Sequence, residues 1–486
     1  MTDIDEQLEP SGLTRRGFVR VAAVSAAALS AGGAASLSPS RARAAPPPKG
    51  GTRYPLYIPP AVAPGTQTLT LTEAPANVNI GGGSSNVWAY SATLPTGSTG
   101  PTFPGASIVT TKGEVLAVTL VNGLSEETIT HGHGMIVGEA NDGGVWYAIP
   151  PSATYDYRFT INQRAALNFY HPHPHMLTGK QVNLGLAGAF IVRDEWDTGA
   201  GAHGLPYGYG GREVPLVIRD ATLDSAGNLL YKPRSGGFDG QIPLVNGTRS
   251  PYLAVDEGVY RFRVLNGANA RIFGLALSNG APFSLIGNDG GLLSTQTELA
   301  RIDISPAERL DLLLSFKGLG GQSVMLRDLR AGWDLLEFRV TAGNAADVPA
   351  VELPSIDPLS GPAIPTRTFS FDGMSKINGK LFDHNRIDFE VPFGVTERWR
   401  FITSGNAPHP VHVHGASFQV KSRTGGRRQL YPWELGWKDT VLLEDRETVD
   451  VLIRFDAEVN RGSRYLIHCH KLEHEDMGMM SAFQVV

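Results

Sequence analysis

The sequence predicts an all-β fold of three sandwich domains, and three observations predict it. The chain of 486 residues contains 57 Gly and 33 Pro. Its apolar residues alternate with polar ones over short stretches, and one pair of strand signals occurs three times. Alternation with a period of two, bounded by Gly and Pro turns, is typical of antiparallel sheets.

The recurring unit starts with a glycine before an alternating strand that ends in a turn. The three copies begin at Gly113, Gly258 and Gly394. A second strand signal follows in each copy, around Asp156, Asp311 and Asp450. The spacings of 145 and 136 residues are too long for solenoid repeats and indicate whole domains.

We therefore expect one domain over residues 54–194, a second over 212–342 and a third over 366–486. The Gly-rich stretch 197–211 and the Pro-rich stretch 348–365 are interpreted as connectors. The middle domain carries none of the histidine clusters described below, so we expect it to act mainly as a spacer and wall.

Residues 1–44 are interpreted as an export leader. Arg15 and Arg16 precede an uncharged run rich in Ala, Ser and Gly, and residues 42–44 (ARA) have the pattern of a cleavage site. This pattern predicts export of the folded protein by the twin-arginine translocation machinery to a periplasmic or secreted location. No later stretch is apolar enough over a sufficient length to span a bilayer.

Composition excludes two classes of protein. The 42 basic and 47 acidic residues give a formal net charge of −5, which disfavours a nucleic-acid partner. The single cysteine, Cys469, excludes a disulfide framework within the chain. Stability must therefore come from the packed core.

Histidines carry the main chemical signal. Eleven of the 13 fall into four clusters: His131 and His133; His171, His173 and His175; His409, His412 and His414; His468, His470 and His474. Residues two apart on a strand share a face, so such pairs suit neighbouring metal ions better than one tetrahedral ion. The odd spacing from His412 turns His409 to the opposite face, helped by Pro410.

The segment 468–470 sends the thiolate of Cys469 to one side of a strand and its two histidine neighbours to the other. His474 and Met479 follow on the thiolate side. With His409 they make a His₂Cys set with an axial Met, the ligand pattern of a blue-copper electron-transfer site. Zinc is the competing metal, but structural zinc prefers paired cysteines.

With these motifs the sequence resembles the three-domain multicopper oxidases of the laccase, bilirubin oxidase and bacterial cuprous oxidase group. The motifs are HGHG at 131–134, HPH at 171–173, HPVHVHG at 409–415 and HCHKLEHEDMGMM at 468–480. The resemblance covers nearly the whole chain after the leader. It implies three cupredoxin-like Greek-key β-sandwiches and four copper ions, namely one type 1, one type 2 and two type 3.

The resemblance also implies a role for each ligand. The type 1 copper would be held by His409, Cys469, His474 and Met479. The type 2 copper would be held by His131 and His412. The type 3 pair would be held by His133, His171, His173, His414, His468 and His470. Met477 and Met480 lie close enough in sequence to leave the choice of axial Met open.

Two carboxylates beside the ligands are candidate proton carriers. In similar oxidases the positions of Asp142 and Glu475 manage protons near the trinuclear cluster, and reduction of O₂ to two waters consumes protons. Asp142 could instead be a turn residue, because two glycines follow it. His175 matches no ligand position and is expected behind the ligands or at the surface. His203 and His384 are assigned no role.

The expected activity is oxidation of a donor, one electron at a time, at the type 1 copper, with four electrons passing through Cys469 and its neighbours to reduce O₂ to water. We expect a phenolic, aryl amine or tetrapyrrole donor, because the chain has eight Met and no Met-rich run. The alternative is a metal-ion oxidase acting on Cu(I) or Fe(II) for copper tolerance. A non-enzymatic copper-binding or envelope scaffold protein is the rival from another class. We expect a monomer.

Overall fold

The computed structural model describes residues 51–234, 236–403, 405 and 408–486, so the leader predicted at 1–44 lies outside the described residues. The strands up to residue 193 are β1 (Tyr54–Pro55), β2 (Ala61–Val62), β3 (Thr68–Asn79), β4 (Ser84–Leu94), β5 (Gly97–Thr102), β6 (Gly105–Thr111), β7 (Val115–Asn122), β8 (Thr130–His133), β9 (Thr154–Thr160), β10 (Ala166–Pro172) and β11 (Gly188–Arg193).

The strands between residues 213 and 341 are β12 (Glu213–Ala221), β13 (Ile242–Val245), β14 (Thr248–Arg249), β15 (Pro251–Asp256), β16 (Val259–Asn266), β17 (Phe273–Leu277), β18 (Phe283–Asn288), β19 (Gly291–Leu299), β20 (Ile302–Ile304), β21 (Arg309–Ser315), β22 (Ser323–Asp328) and β23 (Trp333–Thr341). The remaining strands are β24 (Arg367–Asp372), β25 (Lys376–Ile377), β26 (Phe389–Val391), β27 (Thr396–Ile402), β28 (His409–Val413), β29 (Phe418–Gly425), β30 (Thr440–Leu443), β31 (Glu447–Arg454), β32 (Arg464–Cys469) and β33 (Met480–Val485).

Helices are few and short. The α-helices are α1 (Glu139–Asp142), α2 (Thr178–Leu184) and α3 (Leu472–Asp476), and the 3₁₀ turns are Val145–Tyr147, Ala202–Gly204, Pro432–Glu434 and Glu458–Asn460. Over the residues that the structure describes, no helix has the length and apolar character needed to cross a membrane.

Six sheets form three sandwiches. The first has strand orders β2-β6-β11-β10-β8 and β5-β4-β3-β7-β9. The second has orders β1-β15-β23-β22-β17-β20 and β14-β13-β12-β16-β21-β18-β19. The third has orders β25-β24-β27-β31-β29 and β26-β33-β32-β28-β30. The predicted all-β class of three sandwiches is confirmed.

The repeat seen in the sequence is one strand pair used three times. Strands β7 and β9, β16 and β21, and β27 and β31 pair antiparallel. Beside each pair lies a parallel neighbour, because β3, β12 and β24 run alongside β7, β16 and β27. The sheets are therefore mixed, and the simple antiparallel expectation misses the parallel pairs. Such pairs join strands that are distant in sequence, which local alternation does not report.

The second sheet of each sandwich also keeps one order. In the first domain β6, β11, β10 and β8 are consecutive, and in the third β26, β33, β32 and β28 are. The corresponding strands of the middle sandwich are β15, β23, β22 and β17. Histidine ligands occur on the last two strands of this order in the first and third sandwiches, so one topological position serves both.

Each sandwich has its own apolar core. Trp333 lies in the core of the middle sandwich, and Trp399 lies in that of the third, both with no exposed area. The short strand β1, placed by the sequence in the first domain, pairs with β15 of the middle sandwich. The domain boundaries stated above remain a prediction.

Candidate metal centres

Strand register brings the histidine clusters together. His171 on β10 lies opposite His131 on β8, and His412 on β28 lies opposite His468 on β32. The rings of His133 and His412 stack with centroids 3.7 Å apart, although one belongs to the first sandwich and the other to the third. The clusters therefore meet between these two sandwiches.

Eight buried imidazoles form three groups, and in each group the potential ligand atoms lie within 4.8 Å of one another. The groups are His131, His133 and His412; His133, His171 and His470; and His173, His414 and His468. Every group combines residues from the N-terminal and C-terminal motifs. All eight side chains are at least 96% buried, because none exceeds 4% exposure.

For most of these histidines a hydrogen bond decides which ring nitrogen is free. Nδ1 of His131 donates to the main-chain oxygen of Asp142 at 2.6 Å, and Nδ1 of His171 donates to that of Pro172 at 2.8 Å. Each therefore leaves Nε2 as a lone pair, since a neutral imidazole carries one N–H. In the described part of the chain neither Nε2 has a hydrogen-bond partner.

One contact requires a cation. Nδ1 of His414 donates to Oδ2 of Asp142 at 2.8 Å. Nδ1 of His468 lies 3.1 Å from Oε2 of Glu475 and 3.4 Å from the main-chain oxygen of Cys469. Both Nε2 atoms are then lone pairs, yet they face each other at 3.1 Å. Buried acceptors that converge without a donor are unfavourable unless a cation lies between them. These residues fit a metal.

The single cysteine lies on the opposite side of β32. Sγ of Cys469 is 3.4 Å from Nδ1 of His409 and 3.7 Å from Nδ1 of His474. The two Nδ1 atoms are 3.3 Å apart. One cysteine sulfur and two imidazole nitrogens thus converge on one point, the donor set that suits copper.

Burial keeps the three ligands around Cys469 neutral until a cation binds. Desolvation raises the pKa of the Cys469 thiol to about 12 and lowers the pKa of His409 to about 3 and that of His474 to about 2. The histidines are therefore uncharged ligands at neutral pH. A bound metal would displace the thiol proton and compensate the buried thiolate.

Three methionines compete for the axial position. Met479 is fully buried in the same core cluster as Cys469. Met477 is 40% exposed. Met480 pairs with His468 across β33 and β32, so its side chain lies on the side of that histidine. Burial and register both favour Met479.

Asp142 and Glu475 both contact the histidines on the side away from Cys469. Oδ1 of Asp142 is 3.6 Å from Nδ1 of His131, and Oε1 of Glu475 is 3.6 Å from Nδ1 of His173. Burial raises the pKa of Asp142. Burial also acts on Glu475, but its neighbouring histidines hold the pKa of that carboxyl well below its usual range. The two acids therefore have different proton affinities.

The remaining histidines stand apart from the three groups. His175 is half-buried against Phe382, with ring centroids 5.2 Å apart. His203 bonds Glu352 near the surface. His384 is exposed and its main-chain oxygen accepts a hydrogen bond from an indole.

Two residues beside the histidines were missed by the sequence reasoning. Asp439 bonds His133, and the buried Arg309 of the middle sandwich bonds Asp439. The middle domain therefore does more than space the other two. A signal existed, because Lys438 and Asp439 place opposite charges directly before the apolar strand β30.

Comparison with known proteins agrees with this geometry. Profiles of the multicopper oxidase family match residues 87–197 and 358–486. A multicopper oxidase of Staphylococcus haemolyticus is 33% identical over 391 residues, which are 78% of this chain and 82% of that protein. The chain belongs to the multicopper oxidase family.

Two further relatives differ in what their names say. The crystal structure of the McoA multicopper oxidase from Aquifex aeolicus superposes with a TM-score of 0.82 at 34% identity. The match covers 89% of this chain and 99% of that chain. The cell division protein FtsP of Dickeya dadantii is 30% identical over 491 residues, or 96% of this chain and 98% of that protein. Membership of the family implies copper, and the histidine groups fit copper sites.

Proposed function

We propose that this protein oxidises an organic donor one electron at a time and reduces O₂ to two waters with four such electrons. One observation carries the proposal: Cys469 and its two histidine neighbours face opposite sides of one strand end, toward the mononuclear and the three-metal ligand sets. Copper bound there would supply reversible one-electron redox chemistry. The four-copper count follows from the ligand roles above and belongs to the proposal.

The chain itself supplies the connection, the ligand orientation and the protons. Residues 468–470 form a covalent link between the two ligand sets, so no electron has to leave the protein between them. Asp142 and Glu475 orient His414 and His468 through their Nδ1 atoms. Both carboxylates are also placed to pass protons toward the histidine groups, from which bulk water is excluded by burial.

A phenolic, aryl amine or tetrapyrrole donor is supported by the surface above the cysteine site. Leu381 is 50% exposed, and its side chain lies beside Gly478, which precedes Met479. An apolar rim favours an apolar or aromatic donor. The short path from β24 to β26 leaves no space for a Met-rich insert.

A metal-ion oxidase is the second candidate. Met374 and Met477 are 37% and 40% exposed, and each is adjacent in sequence to a residue, Ser375 or Gly478, of the surface around Leu381. Thioethers bind Cu(I). A side-by-side comparison of a phenol, bilirubin, Cu(I) and Fe(II) as donors separates the candidates. A preference for Cu(I) in kcat/KM would replace the organic donor by the metal ion.

Oxygen consumption tests whether the protein is an enzyme at all. The similarity to a cell division protein supports the alternative of a non-enzymatic scaffold protein. A scaffold protein would consume no O₂ with any donor. The matched variant is Cys469→Ser, which we expect to lose the blue absorption band and donor oxidation while remaining folded. A retained blue band in that variant would contradict the assignment of the cysteine.

Location and assembly complete the proposal. The twin arginines at residues 15 and 16 support export by the twin-arginine machinery to the periplasm or the exterior. We propose that the exported chain acts as a monomer, since each histidine group is complete within one chain.

A further inference from the structure

We propose that Arg309, from the middle sandwich, is a positioning residue for the three-metal site. It holds Asp439, and Asp439 in turn determines which ring nitrogens His133 and His412 present to the metals. This inference rests on the proposed function. It assigns to the middle domain a specific part in building a site whose ligands all come from the other two.

Arg309 is buried and fully hydrogen-bonded. Its side chain has no exposed area, and all five of its N–H groups have acceptors. Nε donates to the main-chain oxygen of Leu167 at 2.9 Å, and the two terminal nitrogens donate to those of Ala307 at 2.9 Å and Asp289 at 3.1 Å. The two remaining N–H groups bond Asp439, with 2.7 Å from Nη1 to Oδ1. This forked geometry is available to arginine and not to lysine.

Asp439, held by Arg309, accepts hydrogen bonds from two histidines. Its Oδ1 accepts from Nε2 of His133 at 3.1 Å and from Oγ1 of Thr440 at 2.9 Å. Its main-chain oxygen accepts from Nδ1 of His412 at 2.8 Å. His133 is therefore left with Nδ1 as its lone pair, and His412 is left with Nε2. Both of these atoms lack a hydrogen-bond partner within the described residues.

Among the grouped histidines whose rings bond protein oxygens, His133 is the exception. His131, His171, His412 and His414 all give Nδ1 to the protein, whereas His133 gives Nε2. The shorter of its two contacts is to Oδ1 of Asp439 at 3.1 Å, and the other is to Oγ1 of Thr440 at 3.3 Å, a hydroxyl that itself donates to the same carboxylate oxygen. The reversed assignment therefore depends on what holds that oxygen in place. Backbone contacts orient the first three rings, but His133 relies on a side chain that Arg309 clamps.

The test is Arg309→Lys in the copper-loaded protein, with Asp439→Asn as the second variant. We expect both to keep the blue band and the type 1 EPR signal, because Cys469 faces away. We expect the type 2 EPR hyperfine coupling to change, because His412 of the type 2 set bonds the main-chain oxygen of Asp439. Where His133 of the type 3 set loses its carboxylate partner, we expect at least one copper per chain to be lost. Variants that fold with the wild-type copper content and type 2 spectrum would overturn the inference.

Arg263→Lys is the matched control. Arg263 lies in the same sandwich, is 1% exposed and pairs with buried carboxylates at Glu213 and Asp197 without contacting a grouped histidine. We expect it to reduce stability and to leave the type 2 spectrum unchanged. A change in that spectrum equal to the change in Arg309→Lys would show a general effect of disturbing the middle domain, and would overturn the specific role.

A measurement on the metal-free wild type covers the case in which the variants do not fold. We expect ¹⁵N NMR of labelled histidines, assigned with His133→Gln, to show the proton of His133 on Nε2. A proton on Nδ1 would overturn the inference. A wild type that binds no copper would contradict the proposed function alone, because the tautomer is read without metal.

Discussion

Glu475→Gln tests proton delivery with little change of shape. The carboxylate lies 3.1 Å from Nδ1 of His468 and 3.6 Å from Nδ1 of His173, and its residue is 1% exposed. The amide oxygen of Gln can keep the same contact with Nδ1 of His468, which also bonds the main-chain oxygen of Cys469 at 3.4 Å, so ligand orientation should survive. An amide cannot carry a proton, so the relay should fail.

The expected loss is large and confined to one step. A positioned acid or base contributes on the order of 10²-fold or more, so kcat for O₂ uptake at saturating donor should fall by at least this factor, or about 3 kcal/mol in activation free energy. The blue band should persist, because Cys469 lies on the other face of β32. Reduction of the blue band by donor under argon should keep its wild-type rate.

Glu473→Gln is the control on the same helix. Its carboxylate bonds Asn269 at 2.8 Å and the hydroxyl of Tyr231 at 3.2 Å, so it faces away from the histidine groups. We expect near wild-type turnover. Turnover of Glu475→Gln within about threefold of wild type, or equal losses in both variants, would refute the assigned role.

Three further predictions concern stability and the axial ligand. Asp197→Asn leaves an uncompensated buried charge among three arginines and should cost about 3–5 kcal/mol, whereas Asp256→Asn at a half-exposed pair should cost about 1 kcal/mol or less, as thermal unfolding would show. Met479→Leu should change the blue band and type 1 EPR signal, and Met477→Leu should leave both unaltered. Burial raises the pKa of Glu213, but the neighbouring arginines outweigh burial and lower that pKa to about 2. The ionised carboxylate therefore contributes about 3 kcal/mol to the free energy of unfolding above pH ~4, and this contribution is lost as the pH falls toward ~2. We expect Glu213→Gln to flatten the acid limb of the plot of stability against pH. An unchanged acid limb in that variant would contradict the last prediction.

Buried ion pairs join neighbouring sandwiches to one another. Asp197, in the connector after the first sandwich, bonds Arg193 of that sandwich and Arg261 and Arg263 of the second. Arg309 then links the second sandwich to the third through Asp439. These pairs are costly to bury unless every partner is present, so they favour one arrangement of the domains over looser ones.

What the sequence determined by itself was local. Period-two alternation placed the repeated strands, and it also decided that Cys469 and its histidine neighbours face opposite ways, because side-chain direction in a strand depends only on position parity. Resemblance of the four histidine motifs to those of the multicopper oxidases implied the ligand residues and both carboxylates. These features depend on neighbours within a few residues, which a single sequence displays.

Only the tertiary structure decided what depends on distant partners. His133 meets Asp439 across 306 positions, and Arg309 meets Asp439 across 130. No alternation pattern encodes such a contact, because it arises where three sandwiches with separate cores pack together. The choice of ring nitrogen at each histidine, and the part of the middle domain in making that choice, follow from this packing.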